Sequence, residues 1–528
     1  MASRRWNRTA LIALAAMAGW VAHYGAAAPP STPPVIGLAQ NTPAVYALTN
    51  VRIVPEPGKV IEKGTIVIRD GVIEAAGAEV KPPADARVID LAGRTAYAGL
   101  IDAFGEITVG PDVTKQGAAG WNPQITPQID VAEHYTADEA LNSKLRSQGI
   151  TARLVAPATR IIKGQSIVVT TGAGENSRAI LKRSVGQHFR LTVPFGQGRE
   201  NYPGSPMGAV ALARQTLLDT DWYSKAWAAW RRDTKLPRPE RNDSLDALAA
   251  CTSGNQPAII DAANEQFFMR ADRFAREFGL TAIIHGSGRE YRQLEEIVAT
   301  GRAVILPVNF PQPPSVATVE DSLDASLAEL MHWDIAPENP ARLDAAGVTI
   351  ALTSQGLRDQ ATFLAAVRRA VERGLKSDSA LKALTTTPAA LVGMSERLGK
   401  IAPGMAGNLV VTDGDLFNKR TKVVETWADG RRFEIDKPPV TDVRGTWQLE
   451  LTGTDDRILK LNLKITGTAR QPSGTLAKAT EGDAKPEEIR LSQVTLSDSQ
   501  LGFRFEGKSI GKEGPTRTSA TVVSGGED

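Results

Sequence analysis

The chain has 528 residues, 42% hydrophobic and 23% charged, which fits a globular protein long enough for two or three domains. Its 61 basic and 59 acidic residues are interspersed and leave a formal net charge of +2, so it has no basic stripe to draw it to nucleic acid or anionic lipid. Cys251 is the single cysteine, which excludes an internal disulfide; with no histidine or nucleophile motif around it, it reads as a small buried hydrophobe.

Arg4, Arg5 and Arg8 precede an apolar run at 11–22, and Gly25-Ala26-Ala27-Ala28 follows. Charge, a short apolar run and small residues in that order predict a secretory signal peptide over 1–28. The run is shorter than the about 20 residues a bilayer span needs, and an uncleaved anchor is the alternative. Ser3-Arg4-Arg5-Trp6 has the arginine pair of a twin-arginine signal, and residues 29–44, rich in Pro, Ser and Thr, read as a linker. The expectation is an exported protein, periplasmic or extracellular, with no membrane span in the mature chain.

Residues 45–94 read as short strands and turns. Thr65-Ile66-Val67-Ile68 and Val72-Ile73-Glu74-Ala75 flank Asp70-Gly71, a hairpin signal, and a further strand is expected at 88–90. Strand-length apolar runs follow at 95–101 and 150–155. The repeat is then clearest from a buried strand at 257–260 into a helix with Phe267, Phe268, Ala271, Phe274, Ala275 and Phe278 at helical spacing, closed by Gly279. A strand at 281–284, a helix at 290–300, strands at 303–306 and 348–352, and a helix bearing Phe363, Leu364, Val367 and Val371 complete the pattern. Such repeats imply a parallel sheet, either a closed (β/α) barrel or an open doubly wound sheet. Strand character returns at 408–411 and 422–425 with a turn at Asp429-Gly430, and Pro438-Pro439 marks a linker. Residues 442–528 alternate apolar and polar, an antiparallel β-domain with one wet face. No closing strand is evident before Gly525-Gly526-Glu527-Asp528, so either the sequence is truncated there or the last strand is short.

Two segments carry a family resemblance. Tyr97-Ala98-Gly99-Leu100-Ile101-Asp102-Ala103 resembles the strand-one signature of the amidohydrolase superfamily, Pro-Gly-Leu-Ile-Asp followed by His-x-His. Leu398-Gly399-Lys400-Ile401-Ala402-Pro403-Gly404 through Asn408-Leu409-Val410-Val411 resembles the strand that completes the family's N-terminal β-module, and Thr385-Thr386-Thr387-Pro388-Ala389 fits the helix before it. The resemblance covers residues 46–433 and extends to exported members related to imidazolonepropionase. It implies an α/β fold: a (β/α)8 TIM-like barrel over 95–399, a composite β-sandwich from 45–94 and 400–436, and a C-terminal antiparallel β-domain over 442–528. The active site would sit at the C-terminal ends of the barrel strands.

The family's chemistry uses one or two divalent metals to activate water and polarise a carbonyl or imine. Its ligands are a His-x-His pair on strand one, histidines on strands five and six, an aspartate on strand eight and often a carboxylated lysine. Here Phe104 and Glu106 stand at the strand-one positions, Asp261 and Glu265 at strand five, His285 at strand six and Ser354 at strand eight. No cofactor is therefore expected at the usual binuclear site; a single divalent metal such as zinc, held by His285 with carboxylate help, is the alternative. His285, Glu265 and Glu106 are the candidate catalytic residues, the carboxylates as an acid/base pair.

Plainer roles stand beside these: His285 as a hydrogen-bonding group at the barrel mouth, Asp102 as a tether for the loop after strand one, His188 as structural, and His332 as a last-turn cation favoured by its helix dipole. Lys163-Gly164-Gln165-Ser166 lacks the first glycine and spacing of a phosphate loop. Gly286-Ser287-Gly288 beside Arg289 is either an anion cradle or an ordinary turn. Two functions remain. One is a hydrolase of C–N bonds acting on a small amide-like ligand. The other is a non-catalytic envelope scaffold, a pseudoenzyme partnering an active amidohydrolase through the C-terminal β-domain.

Overall fold

The computed structural model describes residues 45–110, 122–172, 176–193, 202–436, 442–452, 458–467, 472–478, 488–497, 500–510 and 514–521. The leader at 1–28, the linker at 29–44 and the proline pair at 438–439 lie outside the described residues.

The first sheet starts with β1 (Val45–Val54), β2 (Ile61–Arg69), β3 (Val72–Gly77), β4 (Arg87–Asp90) and β5 (Thr95–Ala98). β2 and β3 pair antiparallel with Arg69 opposite Val72; Asp70 (φ 50°) and Gly71 (φ 82°) adopt the left-handed pair that a two-residue hairpin of this twist requires. The single strand expected over 95–101 is in fact two, because β5 belongs to this sheet and β6 (Leu100–Asp102) to another. Gly99 makes the step between them: a Cβ there would collide with the Thr151 side chain, so glycine alone lets the chain pass.

Beyond β6 come β7 (Glu106–Ile107), β8 (Ile150–Pro157), β9 (Ile162–Gln165), β10 (Ile167–Thr170), β11 (Ile180–Lys182) and β12 (Gln187–Arg190). β13 (Ala258–Asp261), β14 (Ala282–His285), β15 (Ala303–Pro307) and β16 (Ile350–Thr353) follow. They assemble into a five-stranded sheet, β11-β10-β8-β6 with β7 also on β8, and a six-stranded sheet, β16-β15-β14-β13-β12-β9. Within the second, β12 to β16 run parallel in sequence order and β9 joins antiparallel. Ala103 N donates to Leu352 O at 3.2 Å, a hydrogen bond between an edge strand of each sheet. Phe104, Leu154, Ile259, Ile283, Ile305 and Ala351 belong to one buried apolar cluster that draws on both sheets.

Local chemistry sets the helices between these strands. In Glu265–Glu277 the Asn264 side chain accepts from Phe267 N, while Phe268, Ala271, Phe274 and Ala275 form the buried face. Gly279 (φ 62°) and the bond from Leu280 N to Ala275 O end it. Burying Phe268 completely contributes on the order of 2–3 kcal/mol. The helix expected over 290–300 is broken into a 3₁₀ turn, Glu290–Gln293, and a helix, Leu294–Thr300. Asn339 holds the 3₁₀ turn in place: its side chain accepts the Tyr291 N–H at 2.8 Å and donates to the buried Glu290 carboxylate at 2.7 Å.

The chain then returns to the first sheet with β17 (Leu409–Thr412), β18 (Val423–Ala428) and β19 (Arg431–Glu434). β17 pairs antiparallel with β5, giving the order β19-β18-β17-β5-β1-β2-β3 with β4 on β1. The Asp429-Gly430 hairpin stacks on the Asp70-Gly71 hairpin. A Cβ on Gly430 would lie 2.5 Å from Gly71 Cα, and Gly407 bridges the two turns through Gly407 N to Gly71 O and Gly430 N to Gly407 O.

The C-terminal strands form two antiparallel sheets. One holds β20 (Gly445–Thr452), β21 (Ile458–Gly467), β22 (Pro472–Lys478) and β23 (Glu488–Arg490); the other holds β24 (Ser492–Ser497), β25 (Gln500–Glu506) and β26 (Pro515–Thr521). Leu461, Leu463 and Ile465 of β21 and Leu501, Phe503 and Phe505 of β25 are buried, the alternation of a half-covered sheet. β26, Pro-Thr-Arg-Thr-Ser-Ala-Thr, has no apolar alternation to mark it in sequence, yet it pairs with β25 along its length as an edge strand. Among the described residues no helix is long and apolar enough to cross a membrane.

Candidate active site

At the C-terminal ends of β13 and β14, Asp261 and His285 sit side by side, in register, because the two strands pair residue for residue. His285 Nδ1 lies 3.2 Å from Asp261 Oδ1. The other carboxylate oxygen faces Lys163 Nζ at 2.6 Å and Arg190 Nε at 3.2 Å. Lys163 comes from β9 and is fully buried; its ammonium also contacts Glu106 Oε1 at 2.8 Å. Glu106, on β7, takes further bonds from Gln355 Nε2 (3.1 Å) and Arg190 Nη2 (3.5 Å). Two cations and two carboxylates from β7, β9, β12 and β13 thus balance one another. Burial raises the Asp261 carboxyl, but Lys163, His285 and Arg190 outweigh it and hold the group well below the usual carboxylate range.

Aromatic and neutral groups back this cluster. The Phe104 ring stacks on His285 with centroids 3.9 Å apart and 23° between planes, and lies 5.7 Å from His188. His188 is fully buried with neither ring nitrogen hydrogen-bonded. Burial, with the Lys163 ammonium adding to it, pushes its imidazole down to about 3, so it is neutral at ordinary pH. His285 Nε2 is likewise buried without a partner. Asp102, at the end of β6, accepts from Thr353 Oγ1 (2.7 Å), Ser354 N (3.0 Å) and Ser354 Oγ (2.6 Å). Arg153 Nε stands 3.2 Å from its Oδ2, an ion pair without hydrogen-bond alignment. Asp102 therefore ties β6 to the end of β16.

A cavity of about 380 Å³ opens over the cluster, lined among others by Glu106, Arg190, Asp261, His285, Asn309 and Gln355. A larger cavity of about 590 Å³ beside the two Asp-Gly hairpins is lined by Arg178, Arg397, Arg431 and Asp429 but by no histidine. The smaller one holds the Asp261–His285 pair and the charged cluster.

The donor set does not fit a resident divalent metal. Such an ion needs three or four protein donors within about 2.0–2.3 Å. The place where the Glu106 and Asp261 carboxylates converge is taken by a buried ammonium, and Phe104 covers one face of His285. Among the described residues no group of three His, Cys, Asp or Glu side chains is arranged to hold a metal ion.

Of the three residues selected from sequence, Glu106 and His285 reach this site and Glu265 does not. Glu265 opens the helix after Asn264 and faces Arg292 Nη1 at 3.8 Å, away from the cavity lining. His332 is corrected too: it does sit in a last helical turn, but burial and the nearby Arg289 and Arg292 charges lower its pKa, and Tyr291 Oη meets its Nδ1 at 3.1 Å. The Gly286-Ser287-Gly288 amides offer no anion cradle, since Ser287 N (2.6 Å) and Gly288 N (3.3 Å) already donate to Glu290 Oε1. Lys163 and Arg190 were missed as site residues. The signal for Lys163 was a single charge between the apolar runs Ile161-Ile162 and Ile167-Val168-Val169. Cys251 is buried and its thiol is pushed up to about 12 by that burial, so Ellman's reagent is expected to leave it unreacted in native protein and to titrate it fully in urea.

Known proteins resemble this chain in family and in fold. A family model described as "Amidohydrolase family" matches residues 208–433. The amidohydrolase tasK of Hapsidospora irregularis is 24% identical over 420 residues, which are 72% of this chain; the match spans 40% of that relative's length. The crystal structure of an amidohydrolase from Thermotoga maritima MSB8 superposes with a TM-score of 0.62 at 22% identity, covering 74% of this chain and 100% of that one, a likeness of fold. The strand-one signature, the returning strand, the family model and the curated relative all support a kinship with the amidohydrolase superfamily, and the solved structure shares its fold.

Proposed function

We propose that this protein binds a small amide- or carboxylate-bearing ligand at the mouth of a (β/α)8 barrel, and that it does not carry out the metal-dependent hydrolysis of C–N bonds typical of the amidohydrolase superfamily. The hydrogen bond from Ala103 to Leu352 and the apolar cluster shared by both sheets support the barrel, which in this reading spans 95–399. The composite sandwich of 45–94 and 400–436 flanks it and the β-domain of 442–528 follows. The mutual neutralisation of Lys163, Glu106, Asp261 and Arg190 carries the functional reading. It leaves neither carboxylate free as a metal ligand or general base. Asp261 and His285 do have the orienter–base arrangement of hydrolases, but Nε2 is enclosed and no water or ligand reaches it without movement of its neighbours. Arg190, 31% exposed, still has guanidinium donors for a carboxylate or carbonyl, and Asn309 and Gln355 add neutral polar groups.

Calorimetric titration with N-acyl amino acids and cyclic imides, in excess EDTA, tests this. Binding is expected with no product detectable by chromatography. Turnover that EDTA abolishes and zinc restores would overturn the reading.

The added β-domain of 442–528, which the family model does not reach, together with Phe104 at a strand-one ligand position, motivates a second reading: an exported, periplasmic or extracellular companion of an active amidohydrolase, docked through the C-terminal β-domain. Envelope extracts should then yield, on pull-down, an amidohydrolase with an intact His-x-His motif; recovery of none rejects it.

A further inference from the structure

We propose that the cavity of about 590 Å³ beside the two Asp-Gly hairpins is a binding site separate from the barrel mouth, and that it takes a small ligand bearing two or more carboxylate or phosphate charges.

This cavity lies toward the other end of the strands from Glu106 and Asp261. Its wall includes Gly172, just beyond β10, and Thr170 of that strand pairs with Ala152 near the start of β8. Glu106 pairs with Ala156, four residues further along β8, a rise of about 13 Å. The guanidinium groups of Arg178, Arg397 and Arg431 line the wall with the carboxylates of Asp70 and Asp429, which leaves one net positive charge. At the mouth, opposite charges are in contact and satisfy one another; here they are not. Among the described residues the Arg397 guanidinium has no hydrogen bond or ion pair, and its pull on Asp429 acts through space. Arg431 commits one N–H, from Nη1 to Gly172 O at 2.7 Å, and forms no ion pair with Asp429 among the described residues. Burial raises the Asp429 carboxyl, and Thr170, Arg397 and Arg431 draw it back without outweighing that burial, the reverse of Asp261.

The arginine donors are thus held at the edge of a space of the size that small-molecule sites have. A guanidinium offers paired N–H groups that match the two oxygens of a carboxylate or two oxygens of a phosphate. Arg178 comes from the stretch before β11, Arg397 from the segment after the last barrel helix and Arg431 from β19. One anionic group cannot serve guanidiniums so separately rooted, so the fitting ligand carries at least two. Such a ligand ties the barrel to the composite sheet and stabilises both.

Purified protein in metal-free buffer is titrated by calorimetry with citrate and, separately, with inorganic pyrophosphate, each against sodium chloride of equal ionic strength. Its melting temperature is read at about 5 mM of each salt. One equivalent should bind, with a melting temperature about 2 °C or more above the chloride control. Tighter citrate assigns the site to polycarboxylates and tighter pyrophosphate to phosphorylated compounds. Arg397→Gln should leave the ligand-free melting temperature unchanged and weaken binding by about tenfold or more. Arg190→Gln, at the mouth, should keep citrate affinity within about twofold of wild type. No shift beyond chloride with either anion overturns the proposal, as does binding that Arg397→Gln leaves intact or that Arg190→Gln removes. The mouth titration uses other compounds and another arginine, so failure here and failure of that reading are separable.

Discussion

Wild-type protein is expected to lose about 2 kcal/mol of stability between pH 7 and about pH 5, and about twice that by about pH 3.5, through His188 alone. The imidazole is pushed from 6.5 down to about 3 by complete burial, with the Lys163 ammonium adding to the effect. The sign follows from proton counts. Between the two values the unfolded chain binds a proton that the folded chain refuses, so stability rises with pH across this window. It is complete above the unfolded value of 6.5 and fades as pH falls toward 3. His188→Leu keeps the volume near that of imidazole and removes two buried ring nitrogens that have no hydrogen-bond partner, so it should cost little at pH 7. Urea denaturation of both proteins at pH 7 and pH 5 isolates the effect, because Asp261, whose folded pKa is depressed, releases its contribution only below the ordinary carboxylate range near 3.8. An acid slope unchanged in the variant would sink this account.

Asp102→Ala should destabilise the fold by about 3–5 kcal/mol. Asp102 is completely buried and accepts three hydrogen bonds from Thr353 and Ser354 while facing the Arg153 guanidinium. Truncation leaves an unpaired charge, a hydroxyl and a backbone N–H without acceptors in a dry space, and loosens β6 from β16. Asp102→Ala/Arg153→Met should recover part of the loss, since removing both charges is milder than stranding one. A urea midpoint for Asp102→Ala that corresponds to less than about 1 kcal/mol would refute the tether.

Much of the architecture was legible because it is written in local periodicity. Phe268, Ala271, Phe274 and Ala275 mark their helix by spacing, and Asp70-Gly71 and Asp429-Gly430 mark their hairpins by backbone preference. The split at Gly99 was not, because it is set by crowding from Thr151, more than 50 residues away. The site was harder for the same reason. Lys163 has partners 57 and 98 residues away in the chain, so nothing near it announces an ion-pair cluster. Glu265 seemed well placed four residues after Asp261, but the Asn264 cap starts a helix there and turns the side chain toward Arg292. His332 had the expected helical address; its pKa is lowered by burial and then by arginines at 289 and 292, all of which only folding brings about.

The sheet that joins β5 to β17 also sets a timetable for the growing polypeptide. Thr95 meets Thr412 across 317 residues. At a ribosomal pace of about 5–20 residues per second, roughly 15–60 s pass between the appearance of the first partner and that of the second. Throughout that interval β5 has an open edge, able to pair with any passing strand, and this sheet cannot finish before nearly all the intervening strands and helices have emerged. Ribosome-bound intermediates arrested before residue 409 are therefore expected to be far more open to protease at the amino-terminal sheet than those arrested after residue 434.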